Sequence, residues 1–366
     1  MKKLLALLLS LALLLTMLAG CNLDLTDTLT KWAKDVSSRL DEEMGTSEVS
    51  EKPTVHEIPT ADLDGNEISV PASIRRIVSL EPGVTDVLLR LGLGAQIAGI
   101  DADSSSLRGL PSALNVYDPA ALGGSLGELL QSSPDILFVT RETYSALGVA
   151  PEILESDEDA ADGESQADTA SAASPLEQLR AVGVCVVCVP EPKSMAEIMK
   201  MTLFVGYCFG LYDQSEALVY EIIDAMSAIE ETAKEVTNTR TVYVELEPYV
   251  SVGFGEVLNE LLDICGAKNV FLARDNVIRV TTEEVAQANP EIIITCVGDL
   301  TLGEGETIHT VGEARMSEIS ARDGWSDISA VVSGTLYYLE SSLIPGPGIV
   351  DAMKEIAAMC YPRLYQ

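Results

Sequence analysis

Two stretches of the chain share one pattern and decide the fold: Gly127-Glu-Leu-Leu-Gln-Ser-Ser-Pro-Asp-Ile-Leu-Phe-Val-Thr140 and Glu283-Glu-Val-Ala-Gln-Ala-Asn-Pro-Glu-Ile-Ile-Ile-Thr-Cys296. In each copy a short helical segment stops before a proline, and an acidic residue leads into an uninterrupted apolar run. Such a run is typical of a strand that is buried on both faces, and the proline marks the end of the helix. A pattern that occurs twice in one chain predicts two similar α/β lobes.

A second pair of segments supports the repeat. Arg76-Ile-Val-Ser-Leu80 precedes a predicted helix over 85–91, and Thr241-Val-Tyr-Val-Glu245 precedes one over 257–265. Each helix ends at a glycine, Gly92 or Gly266, and another apolar segment follows. The predicted fold class is therefore α/β, with a parallel sheet in each of two lobes.

A helical region over 194–236 separates the lobes. Its first helix, 195–209, is broken at Gly210, and a second runs over 214–236 without Gly or Pro. We expect this second helix to join an N-terminal lobe over 55–193 to a C-terminal lobe over 237–366. Asp64-Gly65 predicts a hairpin turn before the first lobe, and the acidic, Ala- and Ser-rich stretch 155–174 predicts a disordered surface insertion.

The first residues predict export and lipidation. Lys2 and Lys3 precede an apolar run over 4–18, which ends at Leu18-Ala-Gly-Cys21. This arrangement indicates a bacterial lipoprotein signal, in which 1–20 are removed and Cys21 is acylated. A transmembrane anchor is the alternative, but the run is short for a span of ~20 residues and has no basic flank after it. We expect 21–54 to tether the protein to the outer face of the cytoplasmic membrane.

Composition excludes several classes of function. The chain has 23 Lys and Arg against 57 Asp and Glu, and its formal net charge is −34, so a basic surface for nucleic acid is excluded. Two histidines are too few for the usual multi-histidine metal sites, and we predict neither a metal site nor a cofactor, although a site made of carboxylates stays open from the sequence. Six cysteines besides Cys21 could form disulfides, but the apolar surroundings of Cys185, Cys188 and Cys296 favour buried free thiols.

A series of motifs resembles, in order and spacing, the substrate-binding lipoproteins of ABC importers for ferric siderophores, haem and cobalamin. The motifs are Arg76-Ile-Val-Ser-Leu-Glu-Pro82, Leu91-Gly-Leu-Gly94, Pro134-Asp-Ile136, Leu261-Leu-Asp-Ile-Cys-Gly-Ala-Lys-Asn-Val270, Asp323-Gly-Trp325 and Pro345-Gly-Pro-Gly348. The resemblance implies a bilobed, periplasmic-binding-protein-like fold, with the ligand in the cleft between the lobes. It also implies an ABC permease and its ATPase as partners, and a small-molecule ligand of one of these three kinds.

Two other classes of function are the alternatives. Gly92-Leu-Gly94 resembles part of a nucleotide-binding glycine pattern, but it ends a predicted helix instead of joining a strand to a helix, which argues against an enzyme. A surface sensor or interaction lipoprotein of the same fold, without a transport role, stays open from the sequence.

The resemblance also implies site residues. Docking in the family uses an acidic residue on each lobe; Glu283 stands at the matching position, whereas the first lobe has Gly127 there, with Glu128 next to it. Glu284 is a further candidate for docking, although acidic residues at a helix start also complement the helix dipole. We expect the ligand to contact six residues that follow strands or lie in the family's cleft segment. They are Glu81, Arg141, Tyr144, Glu247, Tyr249 and Arg279. The alternative for each of them is a solvated loop residue that does not contact the ligand. Arg and Tyr suit anionic or aromatic ligands.

Overall fold

The computed structural model describes residues 57–149, 173–298 and 307–365. The predicted signal 1–20, Cys21, the tether 21–54 and residues 155–172 of the predicted insertion lie outside these ranges. No helix within them combines the length and the apolar character needed to cross a membrane.

The N-terminal lobe is a five-stranded parallel sheet with helices on both faces. Its strand order is β3-β2-β1-β4-β5. The elements are β1 (Ile77–Leu80), α1 (Pro82–Arg90), β2 (Ile97–Asp101), β3 (Asn115–Tyr117), α2 (Leu126–Gln131), β4 (Ile136–Val139), α3 (Arg141–Leu147), α4 (Pro175–Ala181) and β5 (Cys185–Cys188). The first repeat forms α2 and β4, and all four residues of β4 are buried, as its unbroken apolar run predicts.

Two helices connect the lobes. Helix α5 (Met195–Cys208) is almost entirely buried, with Met201 and Phe204 in the N-terminal core and Ile198 and Leu203 in the core of the other lobe. After the break at Gly210, which has a φ of +66°, helix α6 (Tyr212–Ala233) runs for 22 residues, starting and ending slightly earlier than predicted.

The C-terminal lobe contains a four-stranded parallel sheet of order β11-β10-β6-β8 and a two-stranded antiparallel ribbon of β7 and β9. The elements are β6 (Thr241–Glu245), β7 (Val250–Val252), α7 (Val257–Ile264), β8 (Lys268–Asn269), β9 (Val277–Arg279), α8 (Thr282–Ala288), β10 (Ile292–Val297), α9 (Ile308–Ser320), α10 (Ser329–Ser333), β11 (Leu336–Glu340) and α11 (Ile349–Cys360). The second repeat forms α8 and β10, which confirms the two-lobe α/β fold.

The hairpin prediction at Asp64-Gly65 is only partly right. Gly65 occupies a turn with a φ of +87°, but the flanking residues make one isolated bridge instead of two strands. The reason is Asp62, whose buried carboxylate accepts hydrogen bonds from Asn66 N (2.8 Å) and from Cys188 N (2.9 Å) at the end of β5. These bonds anchor the turn to the first lobe without a strand ladder.

The described cysteines are buried and free. None of the six forms a disulfide with another, in agreement with the prediction of buried thiols. Burial raises the pKa of Cys188 to about 12, so this thiol stays protonated and unreactive at neutral pH.

Candidate ligand-binding site

The lobes meet through segments that follow the carboxyl ends of their strands. Ser106, after β2, donates to Ser342, after β11, with 2.9 Å between the hydroxyl oxygens. The Nζ atom of Lys193, after β5, lies 3.2 Å from the Oε1 atom of Glu256, at the start of α7. Ligands of open α/β sheets bind outside the carboxyl ends of the strands, so the gap between these segments is the candidate site.

Helix α1 packs against the loop before α11 and forms a second joint between the lobes. The Asp86 carboxylate accepts a hydrogen bond of 2.6 Å from Gly348 N, at the start of α11. A Cβ on Gly83 would overlap the carbonyl oxygen of Pro345, so the two backbones are in direct contact. Gly348 is buried in this joint, where its backbone, not a side chain, contacts the other lobe.

Two buried carboxyl groups lie at the carboxyl ends of strands on the N-terminal side of the gap. Glu81 is buried and caps α1 by accepting a bond of 2.6 Å from Val84 N. Burial raises the pKa of Glu81 to about 8, against the effect of the Val84 and Gly83 amides, and the charges of Asp101 and Glu191 raise it further. Burial likewise raises the pKa of Asp101 to about 6. Glu81 is therefore mostly protonated at neutral pH and adds little negative charge to the gap, whereas Asp101 is mostly ionised.

Arg141 and Tyr144 are positioned by partners within their own lobe. Arg141 starts α3, directly after β4, and its Nε donates to Asp64 over 2.9 Å. The Tyr144 hydroxyl accepts a bond of 2.8 Å from Arg180, whose guanidinium carbon lies 5.9 Å from the tyrosine ring centre. The ligand-contact prediction for both residues stays a prediction, and binding an anion would require Arg141 to share or exchange its carboxylate partner.

A buried ion pair supports the C-terminal side of the gap. Arg322 donates to both carboxylate oxygens of Glu245, over 2.6 and 2.8 Å, at the carboxyl end of β6. Its guanidinium carbon lies 4.7 Å from the ring centres of both Tyr249 and Trp325. Trp325 is fully buried. This stack fixes the turn between β6 and β7, where Glu247 is exposed and Tyr249 has a φ of +62°.

Sequence reasoning missed three exposed apolar side chains on the same lobe. Phe254, Leu272 and Val277, which we call the apolar wall, are 62%, 40% and 50% exposed. They surround the β7–β9 ribbon, where the predicted ligand residue Arg279 is also exposed. The available signal was Gly253-Phe-Gly255, an aromatic residue between two glycines and outside any apolar period.

A groove of about 770 Å³ lies beside the joint between α1 and α11. Both lobes line it, and its lining includes charged side chains of both signs: Arg90, Arg108, Lys354, Glu340, Asp351 and Glu355. In the described part of the chain, no cluster of three or more His, Cys, Asp or Glu side chains could hold a metal ion.

The predicted docking residues lie at helix starts on separate lobes. Glu128 is exposed in the first turn of α2, and Glu283 is exposed in the first turn of α8. Glu284 has structural partners, because it completes a capping box with Thr281 and pairs with Arg274 over 3.2 Å. Of the two adjacent glutamates, Glu283 is thus the better candidate for contact with a partner.

The sequence also contains a Gly-x-Ser-x-Gly motif, which occurs around the nucleophile of many hydrolases. Gly123-Gly-Ser-Leu-Gly127 has the spacing of a hydrolase nucleophile elbow, which requires a strand directly before the serine. Ser125 instead follows a run of turns and its hydroxyl donates to the carbonyl of Ala121 over 3.2 Å. The strand–turn–helix context is therefore missing at this motif.

Similar proteins share this architecture. The chain is 22% identical over 327 residues to the uncharacterised ABC transporter substrate-binding lipoprotein YvrC of Bacillus subtilis, covering 87% of this chain and 90% of YvrC. The periplasmic heme-binding protein RhuT from Roseiflexus sp. RS-1 aligns with a TM-score of 0.59 and 17% identity, over 80% of this chain and 100% of RhuT. The molybdate-bound MolA of Haemophilus influenzae aligns with a TM-score of 0.60 and 16% identity, over 84% of this chain and 92% of MolA.

The family assignment follows from the sequence match together with the bilobed fold. The sequence model of the periplasmic binding proteins matches residues 77–343, from the first residue of β1 to the loop after β11. This family serves in binding and transport, not in catalysis, in agreement with the prediction that the chain is not an enzyme. The chain belongs to the periplasmic binding protein family.

Proposed function

We propose that this protein is a lipid-anchored, extracytoplasmic substrate-binding protein that captures an iron chelate or a corrinoid between its lobes and delivers it to an ABC importer. The observation that carries the proposal is the pair of sheets whose carboxyl-end segments face one gap, joined by the connecting helices α5 and α6. A gap of this kind encloses a small molecule between two separately folded walls.

The relatives support the proposal. YvrC is an ABC transporter substrate-binding lipoprotein, and Cys21 gives this chain the matching anchor. RhuT is a heme-binding protein and MolA was solved with molybdate, so this fold accepts both a large chelate and a small oxyanion. The specific ligand therefore depends on the side chains around the gap, since the fold alone does not select it.

The two joints between the lobes support a mode of binding without wide closure. Helix α5 contributes to both cores, and α1 contacts the loop before α11 directly. A large rotation would have to separate Asp86 from Gly348 and to repack the buried faces of α5. We expect apo and bound forms to give closely similar scattering profiles.

Delivery requires a permease, and the exposed glutamates offer contacts for one. Glu128 and Glu283 lie on different lobes, and neither has an ion-pair partner among the described residues. Arginines on a permease would pair with both lobes at once, which would fix the orientation of the gap over the translocation path.

The test measures binding and transport with the same preparation. Lipidated protein is titrated with ferric siderophores, cyanocobalamin and haemin, and the best binder is then offered to the cognate permease and ATPase in proteoliposomes. We expect tight binding of one chelate or corrinoid and stimulation of ATP hydrolysis. Binding without stimulation would favour the sensor alternative, and turnover of the bound compound would favour an enzyme.

A further inference from the structure

The backbone at Phe254 is held by hydrogen bonds on both sides, although the side chain is exposed. Phe254 N donates to Arg274 O over 2.7 Å, and its carbonyl accepts a bond of 2.8 Å from Asn276 N. A Cβ on Gly253 would overlap the Arg274 carbonyl oxygen, and Gly255 has a φ of +87°. The two glycines therefore permit a close backbone contact that presents the Phe254 ring to solvent at a fixed place.

The wall lies next to the gap between the lobes. Two residues after Phe254, Glu256 pairs with Lys193 of the N-terminal lobe. One helical turn further, Glu260 accepts a hydrogen bond of 2.8 Å from Met195 N, where α5 leaves the N-terminal lobe. These two contacts place the start of α7, and the phenylalanine before it, at the edge of the candidate site.

The surroundings of the wall have a net negative charge. Asp101, Asp103 and Glu191 belong to the facing N-terminal segments, whereas Glu81 is mostly protonated because of its raised pKa and adds little charge. Burial raises the pKa of Glu191 and the nearby charge of Glu256 raises it further, so these two carboxylates lie close to each other. The cations next to these carboxylates and the wall are Lys193, which pairs with Glu256, Arg274, which pairs with Glu284, and Arg279 on β9. Carboxylates outnumber cations here, so the electrostatic field favours a ligand with positive charge or with hydrogen-bond donors.

We propose that Phe254, with Leu272 and Val277, packs against the apolar face of a neutral or positively charged chelate or corrinoid, and that the acidic segments opposite select against anionic ligands. This inference rests on the proposed function and narrows its ligand class. Dianionic porphyrins and oxyanions would place their negative groups against the carboxylates. A cationic hydroxamate chelate, or a corrinoid with amide side chains, would instead donate hydrogen bonds to them.

The experiment compares four probes of different charge on the full-length protein: ferrioxamine B, cyanocobalamin, haemin and molybdate. Each is titrated against the wild type, Phe254→Ala and Val332→Ala by calorimetry. Val332 is 70% exposed on α10 and serves as the matched control for loss of a surface apolar group. We expect ferrioxamine B or cyanocobalamin to bind most tightly, Phe254→Ala to weaken that binding about tenfold or more, and Val332→Ala to leave it unchanged.

The outcomes separate this inference from the proposed function. If haemin or molybdate binds most tightly, the charge assignment is overturned while the transport proposal stands. Unchanged binding by Phe254→Ala overturns the wall assignment, and if ATPase stimulation is lost at the same time the wall is a permease contact. If none of the four probes binds to the wild type, the inference fails together with the chelate proposal. Equal thermal unfolding of the variants shows that weaker binding does not come from misfolding.

Discussion

The buried pair of Arg322 and Glu245 offers the sharpest test of how the C-terminal side of the site is built. The Arg322 side chain is 4% exposed and that of Glu245 is 0% exposed. Glu245 also accepts the Tyr243 hydroxyl over 2.9 Å and the Tyr249 amide over 3.3 Å. Removing the guanidinium would leave a buried carboxylate with neutral donors only.

We expect Arg322→Met to lower the free energy of unfolding by about 3 to 5 kcal/mol, the usual cost of leaving one member of a buried pair without its partner. The loss of the guanidinium stack on Tyr249 and Trp325 acts in the same direction. The matched control is Lys234→Met, which breaks an exposed pair with Glu231 and should cost less than about 1 kcal/mol.

Urea denaturation followed by tryptophan fluorescence measures this effect. The chain has two tryptophans, Trp32 and Trp325, so a Trp32→Phe background leaves a single reporter beside the pair. The double variant Arg322→Met, Glu245→Leu should recover much of the lost stability, because apolar residues can replace a buried pair. A loss below 1 kcal/mol for Arg322→Met, or a double variant as unstable as the sum of the singles, would refute the reasoning.

Three further predictions concern the anchor, docking and pH. Cys21→Ala should abolish incorporation of labelled fatty acid and release the protein from membranes; continued labelling would contradict it. Glu283→Ala should leave chelate binding and folding intact but reduce ATPase stimulation, because loss of the ion pair would weaken permease binding by up to about 2 to 5 kcal/mol. Glu128→Ala should give a smaller or similar loss. Normal transport by Glu283→Ala would disprove docking there. Burial raises the Glu81 pKa from 4.5 to about 8, so between these pH values the folded chain retains a proton that the unfolded chain loses. The free energy of unfolding should therefore fall as the pH rises from 4.5 to about 8, by at most about 1.4 kcal/mol per pH unit. Glu81→Gln should flatten this fall in urea titrations at several pH values, and an unchanged slope would argue against it.

The strand and helix order was predictable because it is encoded locally. Residues 136–139 and 292–294 lie in uninterrupted apolar runs, and a parallel strand covered on both faces needs such a run whatever surrounds it. The break at Gly210 was predictable for the same reason, since backbone conformation depends on immediate neighbours. The boundaries of α6 shifted by a few residues because helix ends depend on tertiary packing.

The candidate site was predictable in position but not in side-chain detail. The sequence places Glu81 after β1 and Arg141 after β4, which is where the gap lies. It does not reveal that Glu81 turns back to cap α1, or that Arg141 pairs with Asp64 in a turn far away along the chain. Their availability to a ligand depends on these partners.

The sequence by itself determined two α/β lobes, a connecting helix and a strongly acidic chain, because each of these depends on composition or short-range periodicity. It also predicts an N-terminal lipoprotein signal. Only the tertiary structure decided that Glu245 meets Arg322 across 77 residues, that Asp86 holds Gly348 of the other lobe, and that Phe254 stays exposed beside the gap. The physical reason is that burial and ion pairing depend on which surfaces fold against each other. Which surfaces meet depends on the whole chain, so a local sequence pattern does not predict these contacts.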